Sequence, residues 1–277
     1  MLRKLLKHEL CATARVMLPV MGALLALAVL ANLSLIALTG GLEEIAVLRI
    51  ILVVIVMFFG SGIVATGVMA IVIMANRFYR NLLKDEGYLM FTLPVSVHEL
   101  VWSKLLVSLL WFLATALLIF LVLSITMLNV SNTSLSMVLE NLPSWAELRR
   151  SLAEHGILGQ VNLLAFQMAL AAVLATLAAC LHFYSSMALG HMFSKNKILL
   201  SVVFYVGISF VFKLAEMGCG IFGYGVFDSE FMYAPTESEG LRFFSGVLWH
   251  AIVLGAVQSA VLYVATVLGL KRGLNLE

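Results

Sequence analysis

Residues 77–104 read RFYRNLLKDEGYLMFTLPVSVHELVWSK. This is the one long, charged, non-spanning segment enclosed between two strongly apolar runs. Arg77, Arg80, Lys84, Asp85 and Glu86 mark it as water-facing, yet Tyr88, Leu89, Met90, Phe91 and Leu93 follow at once. An apolar patch of that size is costly in water, so it calls for a partner or the membrane surface. Asp85 has the chemistry of a helix N-cap, and Pro94 disfavours helix at Leu93. Between them a helix of about two turns over 86–92 puts Tyr88, Phe91 and Thr92 on one side at i, i+3, i+4 spacing, although Gly87 weakens it. Ser96 and Glu99 then make a capping box, so a new helix starts near Val97 and runs on into the membrane. The short helix therefore lies across the ends of two spans. By its residues alone it is either a docking surface for a partner or a loop packed on its own lipid face.

Outward from this stretch the chain is greasy. Hydrophobic residues make up 62% of 277 and charged residues 12%, with a mean hydropathy of +1.07. That composition excludes an ordinary soluble domain and defines an all-α, polytopic membrane bundle. Six spans are predicted, at about 16–38, 45–75, 101–128, 160–189, 198–217 and 243–270. Each is long enough to cross a hydrocarbon core of ~30 Å. With no internal repeat or linker, the 277 residues read as one transmembrane domain.

Ahead of the first span, residues 1–15 alternate as an amphipathic helix. Leu2, Leu5, Leu6 and Leu10 share one face, and Arg3, Lys4, Lys7 and His8 fall mostly on the other. Such a segment lies in the membrane interface or is a plain positive flank, and it is expected to be retained rather than cleaved. Gly60, Ser61, Gly62 and Gly67 form a small-residue strip where another helix can approach. Lys104 is placed to snorkel to the interface. Between the third and fourth spans, Ser144 and Glu147 make a second capping box for a helix over 145–155, stopped by Gly156. Cys11 and Cys180 read as packing residues, and Cys219 falls on the opposite side from Cys11, so no disulfide framework is implied.

The net charge of +2 says little; its distribution says more. Arg3, Lys4, Lys7, Arg15, Arg77, Arg80, Lys84, Lys104, Lys195, Lys197, Lys271 and Arg272 fall on one side of the six spans. Arg49, Arg149, Arg150 and Arg242 fall on the other, with most of the acidic residues. The basic side is cytoplasmic by the positive-inside rule, which places both termini and the 77–104 segment inside.

The chain has no phosphate-binding P-loop, no H-E-x-x-H and no G-x-S-x-G. Polar groups within spans are few: Gln167, His182, Lys213, Glu216, His250 and Gln258. Ionisable groups at membrane depth are functional candidates. Here each also has a plain role. Lys213 and Glu216 are spaced for a local ion pair, His182 and His250 for hydrogen bonds to neighbouring helices, and the glutamines for joining helices.

The stretch NRFYRNLLKDEGYLMFTLPVS, followed by SKLL, resembles the permease subunits of bacterial ATP-binding-cassette exporters of the type-two export family. The resemblance implies six spans after an interfacial N-terminal helix, and a cytoplasmic coupling helix between the second and third spans. It implies that Asp85, Glu86, Tyr88, Leu89, Phe91 and Thr92 dock on a separate ATPase subunit. ATP and Mg²⁺ then belong to that partner, this chain hydrolyses nothing, and a second permease copy or paralogue completes the pathway in the bacterial cell membrane. Apolar spans favour an amphipathic or hydrophobic substrate. Two other classes stay open on the residues: an intramembrane enzyme using His182 and His250, and a non-catalytic membrane anchor or sensor.

Overall fold

The structure, a computed structural model, describes residues 2–39, 46–83, 95–130, 143–193, 196–223 and 237–272. Among these the chain is all-α. In order, α1 is Leu2–Thr39, α2 Ala46–Leu82, α3 Val97–Val130, α4 Trp145–Glu154, α5 Leu158–Gly190, α6 Lys197–Gly223 and α7 Glu237–Arg272. All but α4 are long and apolar enough to cross a membrane. Each predicted span except the second lies wholly inside one of these helices, and of the second only Ile45 lies outside the described residues. The helices run further than the apolar runs because polar helix-formers continue them past the hydrocarbon. α2, for example, keeps its hydrogen-bond ladder through Arg77 and Arg80.

The N-terminal segment is not a separate element. Residues 2–39 form one unbroken helix of 38 residues, with Pro19 inside it. At 1.5 Å per residue that helix is about 57 Å long, well beyond the hydrocarbon thickness. The predicted helix over 86–92, and with it Asp85, Glu86, Tyr88, Leu89, Phe91 and Thr92, lies outside the described residues.

The chain divides into two compact units. The first holds Met1–Asn76 and Leu106–Leu142. On α1, Met17, Leu24, Ala28 and Ala31 recur at steps of three, four and seven, so they share one face, and all are buried. Met17 packs with Ala70 and Met74 of α2 and with Val107 and Trp111 of α3. Further along, Leu24, Ala28 and Ala31 pack with Phe59 and Val122. The rising numbers on α1 and α3 against falling ones on α2 make this an up-down-up trio. Polar pairs pin its register. Trp111 Nε1 donates to Thr13 Oγ1 at 2.8 Å, Asn32 Nδ2 to Thr126 Oγ1 at 3.2 Å, and Asn129 Nδ2 to Asn32 Oδ1 at 2.6 Å. Of the three glycines in the small-residue strip, Gly62 meets a neighbour: a Cβ there would sit 2.9 Å from Leu27 Cδ1, whereas Gly60 and Gly67 face open space. Gly62 points about 200° round the helix from Gly60, while Gly60 and Gly67, seven residues apart, share the open face.

The second unit holds Arg77–Leu105 and Pro143–Glu277. Its frame is α5, α6 and α7. Close approaches of Gly255 to Leu174 and of Gly269 to Ala188 both join residues 81 apart, so α5 and α7 run parallel in fixed register. α6 runs antiparallel to α5: Gly190 abuts Ser201, and His182 bonds to Tyr205 and Ser209. The capping box that opens α4 is present, with Glu147 N–H donating to Ser144 Oγ at 3.2 Å and Ser144 N–H to Glu147 Oε2 at 2.8 Å. Gly156 ends the turn at φ +69°, where a side chain is disfavoured.

Three local expectations are revised. Lys104 is only 4% exposed rather than reaching outward. It shares the inward face of α3 with Leu100 and Val101, both buried. Cys11 is exposed, while Cys180 alone of the two is packed. The sixth span, predicted from about residue 243, belongs to a helix that already begins at Glu237.

Candidate functional site

The residues either side of 84–94 are described, and both flanks are fastened to the second unit. On the near side Phe78 and Leu82 at the end of α2, and Leu83 just past it, are all buried. Phe78 stacks on Tyr184 of α5 with ring centroids 4.0 Å apart and planes within 8°. One residue on, Tyr79 meets His191 edge to face at 5.3 Å. Aromatic pairs in this geometry contribute about 0.5–1.5 kcal/mol beyond their buried area. His191 is itself held by its Nδ1, which donates to the Met187 carbonyl at 2.9 Å.

On the far side Ser96 and Glu99 cap α3. Ser96 N–H donates to Glu99 Oε2 at 3.1 Å, and Glu99 N–H to Ser96 Oγ at 3.2 Å. Two residues into that helix, His98 Nδ1 and the Tyr263 hydroxyl of α7 share a hydrogen bond of 2.7 Å. Trp102, one turn further, lies 5.7 Å from the same Tyr263 ring. The segment thus leaves from an aromatic clasp on α5 and returns to one on α7. Helix ends that must share a membrane face in a six-span chain are brought together here: the end of α2, the start of α3 and the C-terminal halves of α5 and α7.

A groove of about 630 Å³ opens elsewhere in the same unit. Ala171, Ala175, Ala178 and Ala179 of α5 form one wall, and α7 supplies His250 and Gln258 to the other. Glu216 reaches it from α6. Its carboxylate takes a hydrogen bond from Lys213 Nζ at 2.6 Å, as their i, i+3 spacing predicts. Lys213 is 78% exposed and Glu216 39%.

The remaining intramembrane polar groups hold helices together. His182 Nε2 lies 3.1 Å from the Tyr205 carbonyl and 3.0 Å from Ser209 Oγ, a link from α5 to α6. Gln167 Nε2 donates to Ser245 Oγ of α7 at 2.9 Å, while Gln167 Oε1 is buried without a partner. These bonds account for His182 and Gln167 by packing. Among the described residues there is also no group of three or more His, Cys, Asp or Glu that could hold a metal ion.

Sequence reasoning located the 77–104 segment but not what holds it. Tyr184, His191 and Tyr263 stand far away in the chain. The only signal for them was an aromatic or polar residue in an otherwise apolar helix. Comparison with family models, curated proteins and solved structures returned no match.

Proposed function

We propose that this chain is the membrane-spanning permease subunit of an ATP-driven exporter of amphipathic or hydrophobic molecules. Residues 84–94 are its contact with a separate ATPase subunit. Tyr88, Leu89, Phe91 and Thr92 sit against the partner, with Asp85 and Glu86 at the rim, the apolar-centre, polar-edge arrangement of protein interfaces. ATP and Mg²⁺ act in that partner, and this chain provides the path. A second copy or a paralogue completes it, in a bacterial cell membrane with both termini cytoplasmic.

The observation that carries this reading is the double clasp. A segment that only covers lipid needs no rigid mounting. One that transmits movement does, because a push on a floppy loop is lost as local unfolding. Here the push is delivered through Phe78–Tyr184 and Tyr79–His191 to α5, and through His98–Tyr263 to α7. Those two helices are locked in parallel register, so they respond as one body.

The test is capture. The purified chain alone hydrolyses no ATP and, isolated from its native membrane, carries an ATPase subunit identified by mass spectrometry. Tyr88→Glu with Phe91→Glu abolishes that capture and leaves the helical circular dichroism unchanged. Undiminished capture by the double variant would remove these residues from the contact.

A further inference from the structure

We infer that the groove between α5, α6 and α7 binds a lipophilic cation, with Glu216 as its counter-ion. This goes beyond the proposal above and does not depend on it, since the site lies wholly within one unit and needs no ATPase. The groove volume of about 630 Å³ falls within the range of small-molecule sites, ~300–1,000 Å³. Its walls suit an apolar body. Ala171, Ala175 and Ala179 present methyl groups only, leaving the width that larger side chains would have closed.

Three polar groups punctuate that surface, and their levels follow from the helix register. α5 and α7 are 81 residues out of step, which sets His250 near Ala171 and Gln258 near Ala178. α6 runs the other way, and its pairings of Gly190 with Ser201 and of His182 with Ser209 set Glu216 between those two levels. A carboxylate at mid-height, an imidazole on one side and a carboxamide on the other match a body with a central positive charge. Among the described lining residues Glu216 is the one Asp, Glu, Lys or Arg. An anionic ligand would have to lie against it.

The Glu216 carboxylate is not idle. Lys213, on the same helix, donates to it at 2.6 Å. That pair defines the ligand further. Lys213 is 78% exposed, and an exposed i, i+3 pair is weak, so its ammonium is a tethered cation that a better-fitting one displaces. A lipophilic cation gains both the carboxylate and the alanine walls, whereas Lys213 gains only the former. Lys213 therefore competes with the ligand, and its removal strengthens binding. A merely structural ion pair would predict no gain.

The probes are tetraphenylphosphonium and tetraphenylborate, which share shape and differ in sign. Binding is measured on the full chain in phosphatidylcholine nanodiscs, with empty nanodiscs subtracted. The cation binds saturably at one site per chain and the anion does not. Glu216→Gln weakens the cation about tenfold, and Lys213→Gln tightens it about threefold. Ala175→Trp fills the groove without touching the charge and also abolishes binding, which covers the case of a misfolded Glu216 variant. Equal uptake of the two probes overturns the inference, as does cation binding unchanged in both Glu216→Gln and Ala175→Trp. Loss of ATPase capture with this binding intact would strike only the transporter reading.

Discussion

At Gly190 the last turn of α5 meets the backbone of α6 with no room for a methyl group. An added Cβ would lie 2.6 Å from Ser201 N and 2.7 Å from Ser201 Cα, and would collide with Ser201 Oγ as well. Because the obstacle is backbone, Gly190→Ala should cost toward the upper end of the usual overpacking range, about 1–3 kcal/mol. Gly207, with nothing within 4 Å, is the control, and Gly207→Ala should be neutral or slightly stabilising. Thermal unfolding in detergent separates the two. Next to Gly190, burial holds the His191 imidazole below its ordinary value of 6.5 and the nearby Lys197 adds to this, while the hydrogen bond to the Met187 carbonyl works the other way. The unfolded chain therefore takes up the proton first. Stability is complete above about pH 6.5 and declines as the pH falls below it. A wild-type melting temperature that drops between pH 7.5 and pH 5 by more than that of His191→Gln is the expected result. At Glu147 the sign is the same for a different reason. The Ser144 backbone N–H, and then its hydroxyl, hold the carboxyl below the usual carboxylate range, so the cap of α4 persists under mild acid.

Between elements, the two clasps make separable predictions. Phe78→Ala removes a fully buried ring stacked on Tyr184 and should cost about 3–5 kcal/mol. Its first consequence is local: hydrogen exchange at 77–83 should rise before that of α5, because the end of α2 loses its anchor. Tyr263→Phe is milder. It deletes the hydroxyl shared with His98 but keeps the ring beside Trp102, so about 0.5–1.5 kcal/mol is expected, with α3 and α7 otherwise intact. Unchanged exchange at 77–83 in the Phe78 variant would mean that the clasp does not govern the end of α2. α4 differs from its neighbours in having no buried residue, and Trp145 is 81% exposed. Its capping box, not a tertiary face, is what starts it.

For the whole molecule, the parity of six crossings is the property that labelling can check. Single cysteines at Val95 and at Lys271, introduced after Cys11, Cys180 and Cys219 are replaced by alanine, should react with an impermeant maleimide from the same side, and one at Arg149 from the opposite side. With the basic residues gathered around the first pair, that side is expected to be the cytoplasm. How much of this was legible follows from the kind of force involved. The six long helices were written in the sequence, since bilayer burial acts on each apolar run separately and a run of about 20 residues has no other stable form. The capping boxes at Ser96 and Ser144 were legible too, because their partners stand three residues away. So was the Lys213–Glu216 pair, for the same reason. The single continuous helix at 2–39 was not, because amphipathic and apolar runs share one helical period and nothing local marks a join. The inward turn of Lys104 was hidden, as were the clasps on Tyr184, His191 and Tyr263 and the groove walled by α5 and α7. Each depends on which face of one helix meets which face of another, and that choice is made by packing between residues tens to hundreds of positions apart. Local chemistry set the pieces of this protein; only their tertiary contacts set which of the scarce polar and aromatic groups came to stand together.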